Sequence, residues 1–183
     1  MHEEYVLELS GITKTFPGVR ALDRVSFQVR KGTVHSLVGE NGAGKSTLMK
    51  VINGMYRANE GTISVRGKVE NITSPGIAEG LGIAMIFQEL VYVPGLTVAE
   101  NLCLGHHPVT GLGLVDWKKI NRDAQELLDR EQIDVKATAI MAEVSISDAQ
   151  MIEIAKATNK GANIVIMDEP TSSLTQHESE RLF

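Results

Sequence analysis

Apolar and polar residues alternate along the first third of the chain. The runs "YVLELS", "VSFQVR" and "TVHSLV" place apolar side chains at about every second position, the period of a half-buried strand. Pro17-Gly18 and Lys31-Gly32 supply turns between them, so paired strands are expected ahead of residue 39. The rhythm then changes. In "GKSTLMKVIN", Gly44 to Asn53, residues Leu48, Val51 and Ile52 fall at helical spacing, and Gly54 suits the C-terminal end of that helix. A weaker strand is expected in "GTISVRG" and a short helix in "PGIAEG". "GIAMIFQ" is a near-continuous apolar run of the kind found in strands buried on both faces. The middle of the chain reads as helical: "TVAENLCLG" and "DWKKINRDAQELLDRE" are separated by a loop from Gly105 to Gly113, and a third helix begins near Ser145 and runs through "DAQMIEIAKAT". "NIVIMD" returns to the buried-strand pattern. The layout predicts an α/β fold carrying a helical insertion, with no internal repeat, low-complexity tract or long linker.

Composition narrows the class without naming a function. The chain has 183 residues, 43% of them apolar and only 4% aromatic, so aliphatic packing should dominate the core. Its formal net charge is −5, which argues against a general nucleic-acid binder, because phosphate contacts require clustered Lys and Arg. Cys103 is the single cysteine, so no internal disulfide is possible, a reducing compartment is the default, and the residue reads as a buried apolar one. The opening "MHEEYVLELS" lacks the basic and apolar regions of a secretory signal. No apolar run approaches the roughly 18 residues needed to span a bilayer.

The most specific chemical signal is "GENGAGKST", Gly39 to Thr47. Gly39-x-x-x-x-Gly44-Lys45-Ser46 fits the phosphate-binding loop pattern, with an apolar strand expected before it and a helix after it. Gly42 and Gly44 let the backbone curl so that N–H groups point inward, and the helix N-terminus adds partial positive charge. Lys45 can bridge the outer phosphates, Ser46 can ligate Mg²⁺, and Thr47 can donate to an inner phosphate. A glycine-rich turn that merely joins strand to helix is the plain alternative. "NIVIMDEP" then places Asp168 and Glu169 at the end of a buried strand, the edge where α/β sheets hold ligands. Asp168 can hold Mg²⁺ through its water shell. Glu169 is left to orient or deprotonate a water attacking the terminal phosphate. By itself an apolar strand ending in acids is usually a strand meeting solvent; its pairing with the loop carries the inference. A GTPase would need Asn-Lys-x-Asp, and Asn159-Lys160 is followed by Ala162 where the acid belongs, so that dipeptide reads as a helix end. A small-molecule kinase would leave the segment between loop and acids unexplained.

In chain order, "GENGAGKST", "IFQEL", "VSISDAQMIEIAKA" and "IVIMDEPTSSLT" resemble the ATP-binding cassette of ABC transporters, and the likeness covers almost the whole chain. "SPGIAEGLGIAMIFQELVYVPGLTVAENLCLG" and "MIEIAKA" resemble more narrowly the first cassette of simple-sugar importer ATPases of the ribose, xylose and galactose type. The resemblance implies an α/β P-loop nucleotide hydrolase core with an antiparallel β subdomain at the N-terminus and an inserted helical subdomain. The expected partition is 1–89 and 160–183 for the core and 90–159 for the helical part. It implies ATP and Mg²⁺ as cofactors. It implies as partners a second ATP-binding cassette, an integral membrane permease and, indirectly, a periplasmic or extracellular sugar-binding protein, with the chain on the cytoplasmic face of the membrane.

The resemblance also assigns roles. Lys45, Gln88 and Glu169 are the expected catalytic residues. Gln88 links core to helical subdomain and, with Ser46 and Asp168, is an expected metal contact. Gly39, Asn41, Gly42, Gly44, Lys45, Ser46 and Thr47 are expected to hold the phosphates. Phe16, in "KTFPGV", matches the aromatic that stacks on adenine, with core packing as its alternative role. Ser145 is expected to reach the ATP of the partner cassette.

Three departures qualify the match. "VSISD" stands where most cassettes have Leu-Ser-Gly-Gly-Gln, so Asp148 brings a carboxylate close to a triphosphate, although an acid in a first helical turn suits the dipole. A plain cap, with Ser147 and Gln150 as a capping box, is the structural alternative. "TSSLT" has Thr175 where an acid is usual. The chain stops at Phe183, before the histidine that clamps the terminal phosphate; none of His2, His35, His106, His107 or His177 lies where it would be expected. The expectation is a fragment lacking the C-terminal part of the core. His106-His107, in its Gly- and Pro-bearing loop, reads as a solvated turn before a metal site. The functional expectation is therefore a motor that hydrolyses ATP to drive sugar uptake. Its alternatives are a weakly active nucleotide-binding module, an ABC ATPase with another transport substrate, or an ABC protein serving translation or DNA repair. The sugar is not legible.

Overall fold

The computed structural model describes residues 5–87, 89–111, 113–159 and 161–168. They fall into two compact units, one within Met1–Met85 and Ala162–Ile166, the other within Ile86–Gly161 and Met167–Phe183.

The first unit begins with a long hairpin, β1 (Tyr5–Phe16) and β2 (Val19–Arg30). The Pro17-Gly18 turn joins them, with Gly18 at φ 82°, as the sequence pattern predicts. β3 (Glu60–Val65) pairs with the other edge of β1 and β4 (Lys68–Glu70) follows, giving an antiparallel sheet of order β2-β1-β3-β4. The ladder slips on both sides of Gly11, which sits at φ 62°. Gly61 lies against that bulge so closely that an added Cβ would stand 2.6 Å from the Gly11 carbonyl. Two glycines thus let the sheet bend where two backbones meet.

Helix α1 (Lys45–Ile52) turns Leu48, Val51 and Ile52 into a core shared with Ile12, Leu22, Ile63 and Ile83, the face its spacing predicts. It stops at Gly54, φ 76°. There the N–H groups of Gly54 and Tyr56 donate to the carbonyls of Val51 and Lys50 at 3.1 Å each, satisfying carbonyls that a helix end leaves open. Helix α2 (Pro75–Gly80) is capped by Ser74. β5 (Ile83–Ile86) and β6 (Ile164–Met167) form a separate two-stranded sheet. Ile164 N–H donates to Gly82 O and Asp168 N–H to Ile86 O; both numbers rise together, so the pair is parallel. Each strand mixes buried with half-buried residues, so "GIAMIFQ" and "NIVIMD" are less enclosed than their composition suggests.

One predicted strand is absent. Thr33–Val38 belongs to no strand among the described residues, with Val34 75% and Val38 90% exposed. Alternation alone makes no strand; a ladder partner must accept and donate along it, and no described strand pairs with this run.

The second unit is helical: α3 (Val98–Leu102), α4 (Trp117–Arg130), a single 3-10 turn (Met141–Glu143) and α5 (Ile146–Asn159). α4 buries Ile120, Ala124, Leu127 and Leu128, the i, i+4, i+7, i+8 stripe of an amphipathic helix. They pack with Val98, Met141, Ala149 and Ile152. On the outer face Lys119 and Arg122 bond Asp123 at 2.6 and 2.9 Å, which holds that carboxyl below its ordinary range. α3 carries a full capping box: Glu100 N–H donates to Thr97 Oγ1, and Thr97 N–H and hydroxyl both donate to Glu100 Oε2 at 2.7 Å. These bonds keep the Glu100 carboxyl below its usual range.

Asn101 ties this unit together. It is 2% exposed; its Oδ1 accepts from Val93 N–H at 2.8 Å and its Nδ2 donates to the carbonyls of Val93 and Thr97 at 3.1 and 3.0 Å. Leucine there fills a similar volume but leaves buried backbone groups unpaired, each worth about 1–3 kcal/mol. Asn101→Leu is expected to lower the stability of this unit by about 2–3 kcal/mol, read as a shift of the urea midpoint followed by far-UV circular dichroism. An unshifted midpoint would contradict the role given to the amide.

Candidate phosphate-binding site

The loop Gly39–Gly44 carries no regular structure until α1 begins. Ala43 N–H donates to Glu40 O at 3.1 Å, closing a turn in which Asn41 is exposed. Gly42 and Gly44 stand at φ 85° and 90°, backbone regions that L side chains enter at a cost. Gly44 is also lodged against β2: a Cβ on it would overlap the Ala21 carbonyl oxygen and press on Leu22. Glycine is therefore required there twice, once for its dihedral and once for its closeness.

Gly44 is also the N-cap of α1, and it offers no side chain to cap the helix. The first intrahelical bond runs from Leu48 N–H to Gly44 O at 2.9 Å. The N–H groups of Lys45, Ser46 and Thr47 therefore have no carbonyl within the helix to donate to. They lie at the positive end of the helix dipole with no acid in the first turn, which is an anion-binding arrangement. Lys45 Nζ folds back over the loop and donates to Gly39 O at 2.7 Å and Glu40 O at 2.9 Å. An ammonium has three donors, so these bonds fix the cation over the loop while a third donor is left.

Phe16 ends β1 half-buried, and its ring meets that of Tyr56 edge-on, centroids 5.2 Å apart and planes at 76°. Lys14 Nζ stands 5.1 Å from the Phe16 centroid, while its ammonium bonds Arg57 O at 2.9 Å. Phe16 thus packs on the rim of the core against Tyr56, which itself packs on that core. Lys14 is partnered across the hairpin with Leu22, the residue on which Gly44 rests. The ladder therefore brings two stretches that are 28 positions apart in sequence, Phe16 and the loop at Gly44, onto the same end of one hairpin. Lys14 and Phe16 share a strand face at i, i+2, a signal present in the sequence; the Tyr56 contact had none, since it depends on where α1 stops.

Asp168 sits half-buried just beyond β6, at the strand end where it is expected. Gln88, Glu169 and Lys160 lie outside the described residues, as do Ser172 to Thr175 and His177. His106 and His107 occupy an exposed turn, and no cluster of three or more His, Cys, Asp and Glu exists among the described residues. In the second unit Ser145 is the N-cap of α5: its carbonyl accepts from Ala149 N–H at 2.9 Å. The cap motif is therefore Ser145 with Asp148; the expected Ser147–Gln150 box falls inside the helix, because α5 starts at Ile146. Cys103 is half-buried, and burial pushes its thiol up.

The profile of a family described as ABC transporter matches residues 22–172. A ribose import ATP-binding protein of Streptomyces avermitilis is 52% identical over 97% of this chain. A xylose import ATP-binding protein of Thermoanaerobacter pseudethanolicus is 49% identical over 98% of it. The chain spans about a third of these relatives, 34% and 36% of their lengths. A crystal structure of the ADP conformation of an ATP-binding cassette of an ABC transporter aligns with a TM-score of 0.80 at 28% identity, over 97% of this chain and 74% of that one. The architecture is accordingly the α/β P-loop cassette fold.

Two substitutions test the loop. Gly44→Ala forces its methyl onto the Ala21 carbonyl and is expected to abolish ATP binding in a calorimetric titration while the far-UV spectrum is kept. Lys45→Ala removes one charged donor, worth about 1.5–3 kcal/mol, and should weaken binding roughly 10- to 100-fold. Unchanged affinity in both variants would remove the loop from phosphate binding.

Proposed function

Because the chain belongs to the ABC transporter family, we propose that it is the ATP-binding part of an importer of simple sugars, and that ATP hydrolysis at its glycine loop drives uptake through a membrane permease. The observation that carries this reading is the loop itself: N–H groups without intrahelical partners at the start of α1, a cation held on the Gly39 and Glu40 carbonyls, and a glycine lodged where no side chain fits. The relatives named as ribose and xylose import ATP-binding proteins support the choice of cargo class.

In this reading Lys45 spans the outer phosphates, exchanging bonds to Gly39 and Glu40 for phosphate oxygens. The N–H groups from Gly42 to Thr47 hold the inner ones, with Gly39 and Asn41 shaping the turn. Phe16, braced by Tyr56, offers a ring to adenine, for which stacking or edge-on contact contributes about 0.5–1.5 kcal/mol. The Ser46 hydroxyl and the Asp168 carboxylate are hard oxygen donors of the kind Mg²⁺ takes alongside its waters; the ion would offset the triphosphate charge. Glu169 takes the proton of the attacking water, and Gln88 orients that water through its amide. Ser145 faces the ATP of a second cassette. A sugar-binding protein would deliver cargo to the permease on the far side of the membrane, with this chain on the cytoplasmic face. No helix among the described residues is long and apolar enough to cross a membrane.

A second reading, a module that holds ATP with little turnover, draws on one observation: Ser145 is engaged within its own helix by Asp148. Labelled ATP separates the two. Glu169→Gln is expected to leave ATP retention intact and to cut phosphate release by about 10²–10⁴-fold, the usual contribution of a positioned base. Release that is equally slow in the unaltered protein favours the module, and absence of retention contradicts both.

A further inference from the structure

Resting on the reading that Ser145 faces a partner cassette, we propose that Asp148 is a positioning residue that withholds the Ser145 hydroxyl from the partner's triphosphate. Ser145 Oγ and Asp148 Oδ2 are 2.6 Å apart. An ionised carboxylate only accepts, so the serine is the donor, at the short distance of a charge-assisted O–H···O⁻ bond. Asp148 N–H in turn donates to the same Oγ at 3.0 Å. A serine hydroxyl has one proton, and here that proton points back into the first turn of α5. What Ser145 presents outward is lone-pair density, with a carboxylate beside it, and both repel a phosphate oxygen.

The same closed exchange between cap hydroxyl and N3 acid occurs at Thr97 and Glu100 of α3, where it fixes a helix start. At α5 the exchange falls on the one cap residue expected to act as a donor. A second observation concerns the neighbouring position: Ile146, the first residue of α5, is 65% exposed, so an apolar side chain stands in solvent directly after Ser145. Position N1 of this helix thus offers an approaching triphosphate no polar side chain to offset the withheld hydroxyl.

Asp148→Ala removes the acceptor but keeps the backbone N–H that caps onto Ser145 Oγ, so the helix start survives and the hydroxyl proton is released outward. The test uses the full-length protein containing this chain and reads kcat/KM for ATP in four forms: unaltered, Ser145→Ala, Asp148→Ala and the double variant. Ser145→Ala is expected to cost more in the Asp148→Ala background than in the unaltered one. Asp148→Ala should raise kcat/KM by about 10-fold, the lower end of one hydrogen bond to a charged group, through a lower KM. Adding Ser145→Ala to Asp148→Ala should cancel that gain. The proposal is overturned if Ser145→Ala costs as much with Asp148 present as without it, if Asp148→Ala brings no gain, or if the gain survives in the double variant. Phosphate release that Lys45→Ala leaves unchanged would instead count against the ATPase reading underneath.

Discussion

Gly44 approaches the Ala21 carbonyl so closely that no side chain fits between them, and the chemistry of the first unit depends on that contact. It fixes where α1 starts relative to the hairpin. With the start fixed, the N–H groups of Lys45, Ser46 and Thr47 lack intrahelical partners, and the Lys45 ammonium reaches back to the Gly39 and Glu40 carbonyls. The same hairpin carries Phe16 near the end on which Gly44 rests. The left-handed glycines give the loop a course that other residues enter only at a cost.

The second unit uses its polar groups differently. Thr97, Glu100 and Asn101 satisfy backbone groups at the start of α3 and in the segment before it, and Asp116 caps α4 by accepting from Lys119 N–H. These are closed local bonds, and closure is what a helix start needs. Ser145 and Asp148 follow the same rule at α5, which leaves the cap well satisfied and poorly disposed toward a second molecule. A residue at a helix N-terminus can serve the helix or a ligand with its one proton, and here the geometry favours the helix.

Much of this was legible in the sequence, for identifiable reasons. The loop is a contiguous pattern, so the left-handed Gly42 and Gly44 and the helix start at Lys45 needed no tertiary information. α1 and α4 carry unbroken apolar stripes, and Gly54 marks a stop that the backbone obeys. Thr33–Val38 misled because alternation reports a half-buried environment, and no described strand pairs with this run to create one. The brace of Tyr56 on Phe16 joins residues 40 apart through a helix end and a hairpin, and no local pattern encodes it. Asp148 was visible as a charge near an expected phosphate; that it takes the proton of Ser145 depends on where α5 begins, two residues before the box Ser147–Gln150 would place it.

The central claim is that the start of α1 and its glycine loop bind the phosphate chain of the nucleotide, and amide chemical shifts during a titration with inorganic tripolyphosphate test it without help from the base. The account predicts saturable shifts concentrated on the N–H resonances of Gly42 to Thr47, with Phe16 and Tyr56 moving only when ATP replaces tripolyphosphate. Shifts that leave those six amides unmoved while tripolyphosphate binds elsewhere would contradict it.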